Sequence, residues 1–145
     1  MNKLILLAGA ASSNFLETAK SNIARIGTAT QRVWAEKLFT GSFATIEEFN
    51  EYYAVMGPLY STYLREHPDY APPTTAERVL YGFDYRTSFN KITVRTVIIG
   101  GENDWINDPV HLNEIHNGIA GSKLFLLDTC GHYMWLDQPR VFLSV

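Results

Sequence analysis

A parallel α/β sheet flanked by helices is the fold class this sequence predicts, and three observations carry the prediction. The chain opens with an apolar run, Lys3 to Ala8, closed by Gly9, the form taken by a strand covered on both faces of a parallel sheet. Between Arg95 and Leu127 a strand, a helix and a second strand follow so closely that a right-handed crossover with parallel strands is required. The long stretch separating these two regions has the spacing of helices, with turn residues between them.

Each element has its own signal. After the opening strand, Phe15, Ala19, Ile23 and Ile26 share a helical face; Ser13 or Asn14 can cap the start, and Gly27 ends it. Val33, Trp34 and Leu38 mark a second helix stopped by Gly41. Thr45-Ile46-Glu47-Glu48 reads as a capping box opening a third helix through Phe49, Tyr52, Tyr53 and Met56, and Gly57-Pro58 is expected to break it. A fourth helix is expected from Pro58, through Leu59, Tyr60, Tyr63 and Leu64, to a stop before Pro68. Tyr70-Ala71-Pro72-Pro73 reads as a linker, and Ala76 to Tyr81 as a short helical stretch. Strand spacing returns at Arg95 to Ile99, bounded by Gly100-Gly101. Asp108 can cap a helix from Pro109 to Ile119, Lys123 to Leu127 is the third strand, and Pro139 opens a last helix. The expected organisation is a first core strand in 1–12, a helical cap in 13–83 and a C-terminal core in 84–145.

Composition narrows the function. The chain has 145 residues, 46% hydrophobic and 13% aromatic, with 12 Lys+Arg against 15 Asp+Glu and a net charge of −3, the balance of one globular domain. No run of Lys or Arg offers the footprint that a phosphate backbone needs, so nucleic acid is not an expected partner. The longest apolar stretch, Leu4 to Ala11, falls far below the roughly 18 residues of a membrane-spanning helix, so no membrane partner is expected either. Lys3 and Ala8-Gly9-Ala10 also fit a short signal peptide, but a single lysine makes a thin positive region; a strand and a cytoplasmic location are expected. The single cysteine, Cys130, reads as a small buried side chain, and His111 and His116, five apart on a helix, as solvent-facing rather than as a zinc pair.

Two polar loops remain, Gly100-Gly101-Glu102-Asn103-Asp104-Trp105 and Cys130-Gly131-His132-Tyr133, each directly after a strand. Ligands of an open parallel sheet bind beyond the carboxyl ends of its strands, so Asp104 and His132 are expected to face one space. A histidine acts well as a general base when a carboxylate accepts its other ring N–H, which fixes the tautomer and stabilises the imidazolium. Asp104 supplies the acid and His132 the base. Glu102 and Asp108 read as caps or turn groups. Glu47, Glu48 and Glu51 read as a solvated helix face. Trp34, Phe39, Tyr52, Tyr53, Tyr60 and Tyr63 read as core, or as the lining of an apolar pocket.

On these residues the chain resembles the C-terminal half of the α/β-hydrolase superfamily, whose triad runs Ser, then Asp or Glu, then His along the chain. Asp104 matches the acid after a Gly-x-x-Asp strand end, and His132 the Gly-His histidine after the last strand. Ser13 to Phe83 resembles the helical cap, and Trp135-Leu136-Asp137-Gln138-Pro139 the approach to the last helix. Within the superfamily it looks most like proline iminopeptidases and their hydrolase relatives, and that resemblance implies that Glu47, Glu48 and Glu51 could meet a substrate amine. The resemblance implies hydrolysis of a small ester, amide or N-terminal-proline peptide through an acyl-serine, without metal or organic cofactor, with Asp104 and His132 catalytic and Trp105 and Tyr133 touching substrate. The chain departs from the family in one respect: Gly-x-Ser-x-Gly occurs nowhere in it, and the serines of Gly9-Ala10-Ala11-Ser12-Ser13-Asn14 read as helix caps. The chain alone is therefore expected to be inactive. In the family, a strand resembling Lys3 to Ala8 has neighbours on both sides, so here one edge is expected to be bare and to pair with a second copy or a complementary N-terminal fragment. The rival readings are a ligand-binding module without turnover and a chain serving assembly alone.

Overall fold

The computed structural model describes residues 2–70 and 82–145. Three strands, β1 (Lys3–Leu7), β2 (Arg95–Gly101) and β3 (Lys123–Leu127), form one parallel sheet in the order β1-β2-β3. Lys3 pairs with Arg95 and Val97 with Lys123, so the carboxyl ends of all three strands point the same way. The predicted crossover joins β2 to β3 through α5 (Pro109–Gly118), which packs on both strands with Leu112 and Ile115 buried. Gly100 and Gly101 do not bound β2 but belong to it, opposite Leu126 and Leu127. The reason is packing: a Cβ on Gly100 would lie 2.0 Å from Leu112 Cδ1, so α5 lies against the strand only where no side chain intervenes.

Four helices separate β1 from β2: α1 (Phe15–Ile26), α2 (Ala29–Thr40), α3 (Ile46–Tyr60) and α4 (Thr62–Glu66). Phe15, Leu16, Ala19 and Ile23 of α1, Leu38 and Phe39 of α2, and Tyr52, Met56 and Tyr60 of α3 make one core with Trp105 and Ile106. Neither Ser12 nor Ser13 caps α1 with its side chain; Asn14 precedes the helix, also without a side-chain cap, and Ser12 is buried in a bridge to Asp84. α2 starts instead on a full capping box from Thr28 and Gln31, and Val33, expected on its apolar face, is exposed. At α3 only half of the expected box forms. Thr45 Oγ1 accepts the Glu48 N–H at 3.1 Å, while the Glu48 carboxylate goes to the Ala44 N–H and to Lys37. Gly57-Pro58 does not break α3, because the helix resumes its bonding with Ser61 N–H to Gly57 O and buries Met56 and Tyr60 on either side. Ser61 then caps α4, which ends at Glu66 with His67 as its C-cap, before Pro68.

The expected linker beyond Tyr70 and the helical stretch from Ala76 lie outside the described residues. Backbone bonds from Ser13 N–H to Phe83 O and from Tyr85 N–H to Ala11 O bring the two ends of the helical segment together beside β1. A short 3₁₀ helix, Arg86–Lys91, leads on to β2. After β3 come α6 (Met134–Asp137), which has no periodic signal in the sequence, and α7 (Pro139–Phe142), opened by its proline as expected. β1 is an edge strand with Ile5 61% and Leu7 41% exposed, so among the described residues nothing covers one of its faces. Beside it Leu4, Leu6, Ala10, Phe89 and Ile119 line an apolar cavity of about 430 Å³. No helix among the described residues is long and apolar enough to cross a membrane.

Candidate active site

The loops after β2 and β3 meet, as the parallel register requires. Asn103 N–H donates to Cys130 O at 2.8 Å and Glu102 N–H to Leu127 O at 3.0 Å, which ties one loop to the other by backbone alone. This close approach is what the glycines are for, rather than a positive φ. A Cβ on Gly101 would lie 2.2 Å from Gly131 O and 2.3 Å from Cys130 O, and one on Gly131 would lie 2.3 Å from Tyr60 O. Backbone atoms cannot yield as a flexible side chain can, so each site excludes every residue with a Cβ.

Within this junction Asp104 and His132 come together: His132 Nδ1–H donates to Asp104 Oδ2 at 2.7 Å. The Asp104 side chain is fully buried, and that of His132 keeps 22% of its surface open. The other carboxylate oxygen, Oδ1, accepts the N–H groups of Ile106 and Asn107, both at 3.0 Å, so the acid is held as an acceptor on both sides. A buried carboxylate that accepts from three donors is fixed in orientation. With Nδ1 engaged, Nε2 is the nitrogen left to act as a base, and among the described residues it has no hydrogen-bond partner. Two more anchors hold the acid loop. Asn107 Nδ2 donates to Ala8 O at 2.7 Å, and Asn22 Nδ2 of α1 donates to Trp105 O at 3.2 Å and to Asp108 Oδ2 at 3.0 Å. Ala8 and Thr129, at the ends of β1 and β3, have φ of 42° and 55°, a region costly for residues with a Cβ. Each is held where its loop leaves the sheet, Ala8 by Asn107 and Thr129 by Gln138.

The two expected substrate contacts are placed differently. Tyr133 is half-buried beside the His132 ring, with centroids 5.4 Å apart. Trp105 is instead 2% exposed, edge-on to Phe39 and Tyr60 in the helical core, because the acid loop turns inward after Asp104. Tyr60 was legible as a core or pocket-lining aromatic, with no signal linking it to His132. Its ring lies 5.6 Å from that of His132, and its carbonyl accepts the His132 N–H at 2.6 Å.

Comparison with known proteins bears on this arrangement. No protein-family model matches the chain. It is similar to proline iminopeptidase PfmaB of Pestalotiopsis fici, with 25% identity over 150 residues, 92% of this chain and 53% of that protein. The structure superposes on an α/β-fold hydrolase from Bacillus anthracis with a TM-score of 0.73 at 16% identity, across 99% of this chain and 56% of that one. The fold is that of the C-terminal half of an α/β-hydrolase. A proline iminopeptidase from Mycobacterium smegmatis gives a TM-score of 0.60 at 16% identity, across 98% of this chain and 54% of that one. The chain thus spans about half the length of the proteins it matches.

In this hydrolase fold the other titratable groups stand apart from the pair. His111, expected to face solvent, is 8% exposed on α5; its Nε2 is buried without a partner among the described residues, and burial pushes its pKa below the usual histidine value against the opposing pull of Glu114, Asp108 and Asp104. The unfolded chain takes up this proton near pH 6.5 and the folded chain only lower, so stability falls as pH drops below about 6.5. Thermal unfolding at pH 7.5 and 5.5 should show that loss in the wild type and a smaller one in His111→Gln. His116 Nδ1 pairs with Ser122 Oγ at 2.9 Å and is also not simply solvent-facing. Cys130 is buried as expected, and burial pushes its thiol up to about 11, a poor nucleophile at neutral pH. Asp108 caps α5 through the Val110 N–H at 3.0 Å. Among the described residues no group of three His, Cys, Asp or Glu side chains could hold a metal ion.

Proposed function

We propose that this chain supplies the acid and the base of a serine hydrolase acting on small esters, amides or N-terminal-proline peptides. The carrying observation is the 2.7 Å bond from His132 Nδ1 to the buried Asp104 carboxylate, which leaves Nε2 unbonded. Nε2 takes the proton of a serine hydroxyl as its Oγ bonds to the substrate carbonyl carbon. The imidazolium, facing Asp104, then returns that proton to the departing alkoxide or amine, and water repeats the sequence to release the acid. Tyr133 borders the reacting groups, while Trp105 supports them from within the core. The helical segment in 13–83 is proposed as the cap over the substrate. The serine belongs to a segment with a Gly-x-Ser-x-Gly elbow, a motif this sequence does not contain.

The test is reconstitution with the elbow-bearing N-terminal half of the proline iminopeptidase relative, assayed on an aryl ester and a prolyl arylamide. The complex should hydrolyse at least one of them, and His132→Ala should abolish that turnover. A stable complex without hydrolysis, or hydrolysis indifferent to His132→Ala, would overturn the reading.

The bare edge of β1 supports assembly as part of the same proposal. Its outer N–H and C=O groups, which have no strand partner among the described residues, together with exposed Ile5 and Leu7 beside an apolar cavity, offer a template for another strand, from the elbow-bearing segment or from a second copy. Sedimentation at micromolar concentration should find the chain self-associated, and Ile5→Lys should shift it toward monomer. A wild-type chain sedimenting as a monomer would remove the support for assembly through this edge.

A further inference from the structure

Asp137 lies at the end of the single-turn α6, where the free carbonyls of a helix end do not welcome a carboxylate. Its surroundings explain its presence. Oδ2 accepts the Gly131 N–H at 2.8 Å, in the loop that carries His132. Oδ1 accepts the Tyr63 N–H at 2.9 Å and the Ser61 hydroxyl, both at the junction of α3 and α4. One side chain thus ties the histidine loop to the helical segment from below. From above, the His132 N–H donates to Tyr60 O, and the Gly131 backbone packs on the same carbonyl too closely for a Cβ.

We infer that Asp137 is a positioning residue for the base: it clamps the His132 loop to the α3–α4 junction, so that the helical segment and the Asp104–His132 bond move as one unit. The inference rests on the reading of His132 as the base. A carboxylate is required because all three groups facing it are donors. Asparagine would present its amide hydrogens to either the Gly131 side or the Ser61 and Tyr63 side and open one half of the clamp. Loosening the loop lets the imidazole leave Asp104, and a ring without that bond no longer holds its proton on Nδ1.

Ring ¹⁵N shifts of His132 in the neutral form report which nitrogen carries the proton, a quantity that general loss of packing does not set. The wild-type 145-residue chain should carry it on Nδ1. Asp104→Asn should move it to Nε2; if it stays on Nδ1, the reading of the pair fails. Given that move, Asp137→Asn should also gain the Nε2–H form while circular dichroism shows a folded chain. A folded Asp137→Asn chain with the wild-type tautomer overturns the clamp and leaves the pair standing. Should Asp137→Asn not fold, Ser61→Ala, which removes one donor and keeps the carboxylate, decides on the same readout: a gain of Nε2–H supports the clamp, and an unchanged ring overturns it.

Discussion

Gly101→Ala is expected to lower the stability of the chain by about 3 kcal/mol or more, one of the largest effects of any single methyl group here. The added Cβ would meet the carbonyl oxygens of Gly131 and Cys130 at 2.2 and 2.3 Å, and neither can rotate away. The two loops must then separate, which lengthens the Asn103 to Cys130 bond and takes Asp104 out of reach of His132. Urea unfolding measures the first effect, and the His132 tautomer reports the second. Gly121→Ala is the contrasting control: its φ of 72° strains any substitution, but nothing lies within 4 Å, so its cost should be smaller and should leave the His132 ring unaffected.

Asp104 gives the second large effect, on stability and on turnover separately. Asp104→Ala leaves the Ile106 and Asn107 N–H groups and His132 Nδ1–H without their acceptor at a largely buried site, with an expected loss of about 2–4 kcal/mol at neutral pH. Asp104→Asn keeps the shape and an acceptor oxygen, so the loss of stability should be smaller. In the reconstituted hydrolase it should nonetheless lower kcat on the order of 10⁴-fold, through the wrong imidazole tautomer. A fall in kcat no larger than the fall in folded fraction would reduce Asp104 to a structural residue.

The pair and the sheet were legible because their signals are local. Apolar runs closed by glycine mark β1 and β2, Asp108-Pro109 marks the start of α5, and the positions of Asp104 and His132 after parallel strands place them on one edge. What the sequence concealed depends on contacts between distant segments. Gly57-Pro58 has the look of a stop, yet burial of Met56 and Tyr60 outweighs the single bond that proline removes from α3. Gly100-Gly101 has the look of a strand boundary, yet the close approach of Leu112 and of the Cys130–Gly131 backbone requires glycine inside β2. His111 lies on a helix whose periodicity does not reveal which residues the 3₁₀ helix and β2 will cover. Trp105 follows the acid directly, but the turn that aims Asp104 at His132 sends the indole into the core. Asp137 lies close to Pro139 in a stretch with no period, and its three donors come from Ser61, Tyr63 and Gly131, none of them predictable from spacing.

Labelling with a serine-directed phosphonate tests most directly the claim that this chain holds acid and base but not the nucleophile. Ser12 is 2% exposed and its hydroxyl is buried, so neither it nor its neighbour Ser13, in a loop without an elbow, is set to attack. The 145-residue chain alone should take up no stoichiometric label, and with the elbow-bearing segment the label should appear on that segment's serine and depend on His132. Stoichiometric label on Ser12 or Ser13 that disappears in His132→Ala would contradict the account and make this chain a hydrolase in its own right.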